Sequence, residues 1–154
     1  AVRMLIKDRL GADAAATVVM ADGSGLSRNN RITVSLMTRW LAEVANDPKA
    51  GSTYIESLAV AGSEGTVKSR FKKSKLDCEV RAKSGYIREV RTLSGYLIED
   101  STDRRIAFSV MVNDVPPGAD QRAKDLHERI VELIDSYVAS QATRPQGTLE
   151  ALGH

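Results

Sequence analysis

From Cys78 onward the chain adopts a two-residue rhythm, and this one feature restricts its fold more than any other. The spacing predicts three strands, at about 78–87, 91–99 and 105–113. The last alternates most cleanly, with Ile106, Phe108, Val110 and Val112 sharing one face. Between the second and third strands lies only the polar run Glu99-Asp100-Ser101-Thr102-Asp103. A parallel crossover takes about a dozen residues or more, so this connection makes a hairpin and the sheet is antiparallel.

Helical patterns flank the strands. Leu36, Met37, Trp40, Leu41 and Val44 recur at spacings of three and four, which predicts a helix over 33–46 with Thr33 as its N-cap. Asp47-Pro48 ends it, because the residue before proline is driven out of helical geometry. The apolar run Ala14–Met20 reads as a buried strand leading into the Asp22–Gly25 loop. Ser52-Thr53 reads as the cap of a short helix reaching Leu58, followed by a Gly62–Gly65 turn and a short segment from Val67 to Phe71. Pro116-Pro117-Gly118 breaks the chain before a long helix over 120–139, whose buried stripe is read as Leu126, Ile130, Leu133, Ile134 and Tyr137. The expectation is one α+β domain over 1–140, an antiparallel sheet with packed helices, and a polar tail over 141–154.

Composition excludes several classes. The charged groups nearly balance, with a net charge of +2, and no apolar run approaches the roughly 18 residues that span a bilayer. One cysteine, Cys78, rules out an internal disulfide framework, and His127 and His154 stand at no usual zinc-binding spacing from it. No metal or organic cofactor is expected.

Four segments carry chemistry. Lys83-Ser84-Gly85 on a strand suits a substrate carboxylate: the ammonium attracts it, the hydroxyl bonds it, and glycine admits a chain to the strand edge. The same triplet also reads as an exposed strand with an incidental glycine. Asp22-Gly23-Ser24-Gly25-Leu26-Ser27-Arg28-Asn29-Asn30 is a turn-rich loop that lacks the Gly-Lys-Ser/Thr ending of a phosphate cradle. Ser69-Arg70-Phe71-Lys72 has the Ser-x-x-Lys spacing of a serine acyltransferase, but its lysine stands among Lys68, Lys73 and Lys75 and reads as solvated. Lys68–Arg91 holds nine basic residues against three acids. With only Phe71 and Tyr86 as aromatics, it makes a thin nucleic-acid platform, and no nucleic-acid partner is expected.

Taken in order, Asp22-Gly23-Ser24-Gly25-Leu26-Ser27-Arg28-x-Asn30, Leu58-Ala59-Val60-Ala61-Gly62 with Gly65-Thr66, Arg81-Ala82-Lys83-Ser84-Gly85 and Leu93-Ser94-Gly95-Tyr96 resemble one family. It is the D-alanyl-D-alanine carboxypeptidase/endopeptidase family of low-molecular-mass class C penicillin-binding proteins. The resemblance implies the C-terminal part of the penicillin-recognising serine-transferase fold, with an antiparallel sheet carrying helices on both sides. It implies a serine acyl-enzyme mechanism on peptidoglycan stem peptides ending in D-Ala-D-Ala, trapped by β-lactams, outside the inner membrane or in the periplasm. Lys83 would place positive potential at the terminal carboxylate and Ser84 would bond it. Gly85 would admit the substrate strand, and the Tyr86 backbone N–H would be one of two oxyanion donors. Gly25, Leu26 and Arg28 would line the pocket for the stem side chain, with Arg28 facing a diaminopimelate-like carboxylate.

Departures from the pattern are as informative. The family's nucleophile Ser-x-x-Lys and its Ser-x-Asn element both lie upstream of the Asp-Gly-Ser-Gly-Leu loop, and neither is in this chain. Ser27-Arg28-Asn29 belongs to the loop, and Ser69-x-x-Lys72 falls in an ordinary basic segment. Ser84 replaces the commoner threonine, and Tyr86 is bulkier than the usual small residue. The expectation is therefore a catalytic-domain portion that lacks its nucleophile and its N-terminal part. Such a piece exposes a sheet edge and an apolar face and is prone to pair with itself. A noncatalytic homologue that binds peptidoglycan peptides is the alternative.

Overall fold

The computed structural model describes residues 1–142. In chain order the elements are α1 (Val2–Leu10), α2 (Ala12–Ala16), α3 (Val34–Ala45), α4 (Gly51–Glu56), β1 (Ala59–Val60), a 3-10 turn (Gly65–Val67), β2 (Glu79–Ile87), β3 (Val90–Glu99), β4 (Arg104–Val112) and α5 (Asp120–Ala142). The strands form one antiparallel sheet in the order β1-β2-β3-β4. The three long strands match the two-residue rhythm within about one residue at each end. β1 went unread because two residues cannot display a period.

Helices cover both faces of the sheet. On one, Val80, Ala82, Leu93, Leu97, Phe108 and Val110 pack against Val131 and Val138 of α5 and against Val67 and Phe71. On the other, Tyr96 packs against Leu41 of α3 and Ile55 of α4, and its hydroxyl donates to the Leu41 carbonyl at 2.7 Å. A third cluster joins Ile6, Ala14, Ala15, Val18 and Leu36, so α3 packs on the sheet with one side and on α1 and α2 with the other. Thr33 caps α3 as the sequence requires, its hydroxyl accepting the Leu36 N–H at 3.1 Å.

Three readings are corrected. Ala14–Met20 is not a strand. Ala14 and Ala15 lie in α2, because alanine favours helix more than any other residue, and only Val19 makes a bridge, to Arg31. Ser52 and Thr53 do not cap α4. That helix starts at Gly51, and Asp47 organises its approach by accepting the N–H groups of Lys49 and Ala50. A Cβ on Gly51 would lie 2.6 Å from the Ala45 carbonyl, so only glycine fits there.

The α5 stripe is also rotated. Leu126, Leu133 and Tyr137 are exposed, Ile130 and Ile134 pack partly against the core, and the buried line is Ala123, His127, Val131, Asp135 and Val138. One residue along a helix is about 100° of rotation. An apolar count misses this face because two of its members are polar. Asp135 holds its place by accepting the N–H groups of Asp77 and Cys78, each at 2.9 Å. α5 continues to Ala142, past the expected end at 139, and the remainder of the expected tail, 143–154, lies outside the described residues.

Candidate active site

The site is built on the second half of β2. Strand β1 pairs only with Arg81 and Ala82, so no strand of the described residues covers the outer edge of β2 from Lys83 to Ile87. Which backbone groups face that edge follows from the ladder. The Val80 carbonyl points outward, where it accepts the Ala61 N–H at 2.9 Å. In an antiparallel ladder the hydrogen-bonding direction alternates along the strand, so Ser84 and Tyr86 turn their amide groups outward too.

Side chains alternate in the other sense. Val80, Ala82, Ser84 and Tyr86 share the α5 face, while Lys83 and Gly85 share the α3 face with Tyr96. Lys83 is exposed, and its ammonium donates to the Ser84 carbonyl at 2.6 Å on the open edge. The Ser84 hydroxyl donates to the Thr66 hydroxyl at 2.7 Å. Thr66 is the contact that residue-by-residue reasoning did not assign, although Gly65-Thr66 stood among the motifs. Gly85 has a local steric requirement besides any role toward a ligand: a Cβ there would lie 2.3 Å from Thr92 Oγ1. Tyr86 is 67% exposed, with its ring stacked on the Arg91 guanidinium.

The loop from Asp22 to Asn30 is a separate, internally braced unit. Asp22 accepts from the Ser24 hydroxyl, the Gly25 and Ser27 N–H groups and the Asn30 amide, while Asn30 accepts from the Ala21 and Asp22 N–H groups. The bonds from Asn30 and Ser24 hold the Asp22 carboxyl below its ordinary pKa. Gly25 takes a positive φ of 77°, which favours glycine. The outcome is a rigid base from which Leu26 (72% exposed) and Arg28 project into solvent. Side-chain hydrogen bonds of this loop stay within residues 21–31, so the structure brings Lys83–Tyr86 together on one strand but makes no bond from them to Gly25, Leu26 or Arg28.

The rejected candidates are placed clearly. Between Ser69 and Lys72 the backbone turns at Phe71 with a φ of 59°, so the two never share a helical face, and both are exposed. Arg70 is buried and pairs with Glu128 at 2.5 Å, Ser74 bonds Glu132, and Arg81 and Arg91 pair with Glu79 and Asp120. Three of the nine basic residues of this stretch, its three buried or half-buried arginines, are thus paired with acids of α5 or of β2. Among the described residues no group of three His, Cys, Asp or Glu side chains could hold a metal ion, and no helix is long and apolar enough to cross a membrane.

The family model for D-Ala-D-Ala carboxypeptidase 3 (S13) matches residues 2–137. This chain belongs to that family. It is 31% identical over 150 residues to the D-alanyl-D-alanine carboxypeptidase of Actinomadura sp. (strain R39), covering 94% of this chain and 27% of that protein. It is 32% identical over 126 residues to penicillin-sensitive carboxypeptidase A of Dictyostelium discoideum, covering 77% and 24%. The chain therefore spans about a quarter of the length of the curated relatives it matches. Among solved structures, penicillin-binding protein 4 of Haemophilus influenzae, complexed with a β-lactam, superposes with a TM-score of 0.65 at 24% identity, over 78% of this chain and 29% of that one. A predatory endopeptidase of Bdellovibrio bacteriovorus, in complex with an immunity protein, gives 0.64 at 18% identity, over 90% and 37%. The fold is thus that of the C-terminal part of the penicillin-binding-protein fold, as the motifs implied.

Proposed function

We propose that this chain supplies the substrate-binding strand of a serine D-Ala-D-Ala carboxypeptidase/endopeptidase that acts on peptidoglycan stem peptides and is acylated by β-lactams. The observation that carries the reading is the open edge of β2, where the Ser84 and Tyr86 amides face outward beside the Lys83 ammonium. An extended peptide docks on such an edge by backbone hydrogen bonds, as an added strand.

The roles follow from chemistry at that edge. A substrate ending in a free carboxylate is drawn by Lys83. Ser84 donates its hydroxyl proton to that carboxylate, and Thr66, now free to donate, turns its own hydroxyl toward the Ser84 oxygen. The Tyr86 N–H is one donor for the oxyanion that forms when the scissile carbonyl is attacked. Such a donor is worth about 3 kcal/mol in comparable hydrolases. Gly25, Leu26 and Arg28 form the pocket for the stem side chain, with Arg28 forking onto a carboxylate there. The nucleophilic serine and its lysine come from the part of the same protein upstream of this chain, which also covers the outer edge of β4 and the apolar outer side of α5 and leaves the β2 edge open to substrate. The location is extracytoplasmic, where peptidoglycan lies.

Release of D-alanine from a stem-peptide analogue ending in D-Ala-D-Ala tests the reading in the full-length protein. Release that is blocked by penicillin is the expected result. A folded full-length protein that neither releases D-alanine nor takes up penicillin would favour a noncatalytic peptide-binding role and overturn the proposal.

A further inference from the structure

Tyr86 is the feature of this strand that the family pattern explains least, and the structure gives it a dedicated partner. The Arg91 guanidinium carbon lies 3.4 Å from the Tyr86 ring centroid, directly across the β2–β3 ladder. Only 6% of Arg91 is exposed, and all three of its guanidinium nitrogens donate hydrogen bonds. Nε and Nη2 donate to Asp120 Oδ1 at 2.9 and 2.5 Å, and Nη1 donates to the carbonyls of Val90 and Arg88. Asp120 opens α5 and Arg88 lies in the β2–β3 turn with a φ of 42°. The same turn is tied from outside, where the Glu89 carbonyl accepts the Val115 N–H at 2.8 Å. One guanidinium therefore joins the start of α5, the strained turn and the ring of Tyr86.

We propose that Arg91 is a positioning residue: stacked on Tyr86 and anchored by Asp120, it fixes the Tyr86 backbone amide at the open edge of β2. The proposal rests on the reading of that amide as an oxyanion donor. The physical need is specific to this chain. At the open end of β2 no further strand of the described residues holds the backbone of residue 86, and the Tyr86 ring is the handle by which Arg91 restrains it. A cation face-on to the ring removes that freedom, and the planar guanidinium does so while its edge bonds three oxygens, which a lysine cannot do. Since a misplacement of about 1 Å costs on the order of 100-fold in rate, loss of the clamp should act on the chemical step.

The test is a double-mutant cycle on penicillin acylation in the full-length protein. Arg91→Lys and Tyr86→Leu should each slow the acylation step at saturating penicillin by about tenfold or more, with the dissociation constant of the initial complex nearly unchanged. Because both act through one contact, the double variant should be no slower than the worse single variant. Multiplying losses in the double variant, or a loss confined to initial binding, would overturn the proposal. So would unchanged acylation in Tyr86→Leu, which decides the matter alone if Arg91→Lys fails to fold. A parent protein that does not acylate would overturn the proposed function and this inference with it, whereas a parent that acylates beside unaffected variants overturns this inference only.

Discussion

Gly95 lies against the carbonyl of Arg81 so closely that a Cβ on it would sit 2.0 Å from that oxygen and 2.7 Å from the Ala82 Cα. The two backbones meet where β1 ends and the open edge of β2 begins, so the register that presents Lys83 depends on a missing side chain. Both atoms in the way are backbone and cannot rotate aside. Gly95→Ala should cost about 3 kcal/mol, read as a lowered midpoint of urea unfolding in the full-length protein. Gly23→Ala, with nothing within 4 Å of its Cβ, should change stability by no more than about 0.5 kcal/mol. Equal behaviour of the two would contradict this packing.

In the proposed reading Lys83 acts on the ligand and not on the fold. Its side chain is exposed and, among the described residues, bonds only the neighbouring carbonyl of Ser84. Lys83→Ala in the full-length protein should slow penicillin acylation by about 100-fold, in the range found for removing one electrostatic stabiliser. Its melting temperature should stay within about 2 °C of the parent, because exposed substitutions rarely alter stability. Loss of folding would make Lys83 structural.

His127 gives stability a pH dependence with a definite sign. It is 1% exposed, and neither ring nitrogen makes a hydrogen bond. Burial above all, with the charge of Arg70 adding, holds its pKa down to about 4; the nearby Arg91 backbone opposes this only weakly. The folded-state pKa is thus below the unfolded value of about 6.5. The unfolded chain takes up the proton first, and stability is lost as pH falls from about 6.5 toward 4. The charged group facing it is Arg70, itself paired with Glu128. Unfolding midpoints between pH 7 and 5 should therefore decline in the parent and stay flat in His127→Leu. An equal decline in both would assign the effect elsewhere.

Much of this was legible in the sequence, for physical reasons. A strand of nine or ten residues displays its period many times over, so β2, β3 and β4 declared themselves, as did α3 through its Thr33 cap and five-residue stripe. The candidate triplet Lys83-Ser84-Gly85 could be placed on its strand because it is contiguous and needs no tertiary knowledge. What escaped depends on partners distant in sequence. The face of α5 is set by Asp135 reaching Cys78 and by Glu128 reaching Arg70, and an apolar count ignores both. Thr66 joins Ser84 across 18 residues, and Arg91 meets Tyr86 only once the β2–β3 register exists. The stretch Ala14–Met20 failed because an apolar run alone does not distinguish a helix of alanines from a strand.

The chain in isolation should associate with itself. Among the described residues no strand pairs with the outer edge of β4, and Leu126, Leu133 and Tyr137 line the outside of α5. An open edge and an apolar stripe on one molecule are templates for pairing. Sedimentation velocity should show species larger than a monomer, growing with concentration, and a Leu133→Lys variant should shift the distribution back toward monomer. A monodisperse monomer across the concentration range would contradict the claim that an upstream part of the protein covers these surfaces.

The central claim is that the chain provides the binding strand of a penicillin-binding enzyme and not its nucleophile. Intact-mass measurement after exposure to a penicillin tests it most directly, on the isolated chain and on the full-length protein with the adduct mapped by peptide sequencing. The account expects no adduct on the isolated chain and one adduct on the full-length protein, at a serine upstream of Ala1. A covalent adduct on Ser69, Ser27 or any other serine of these 154 residues would contradict it.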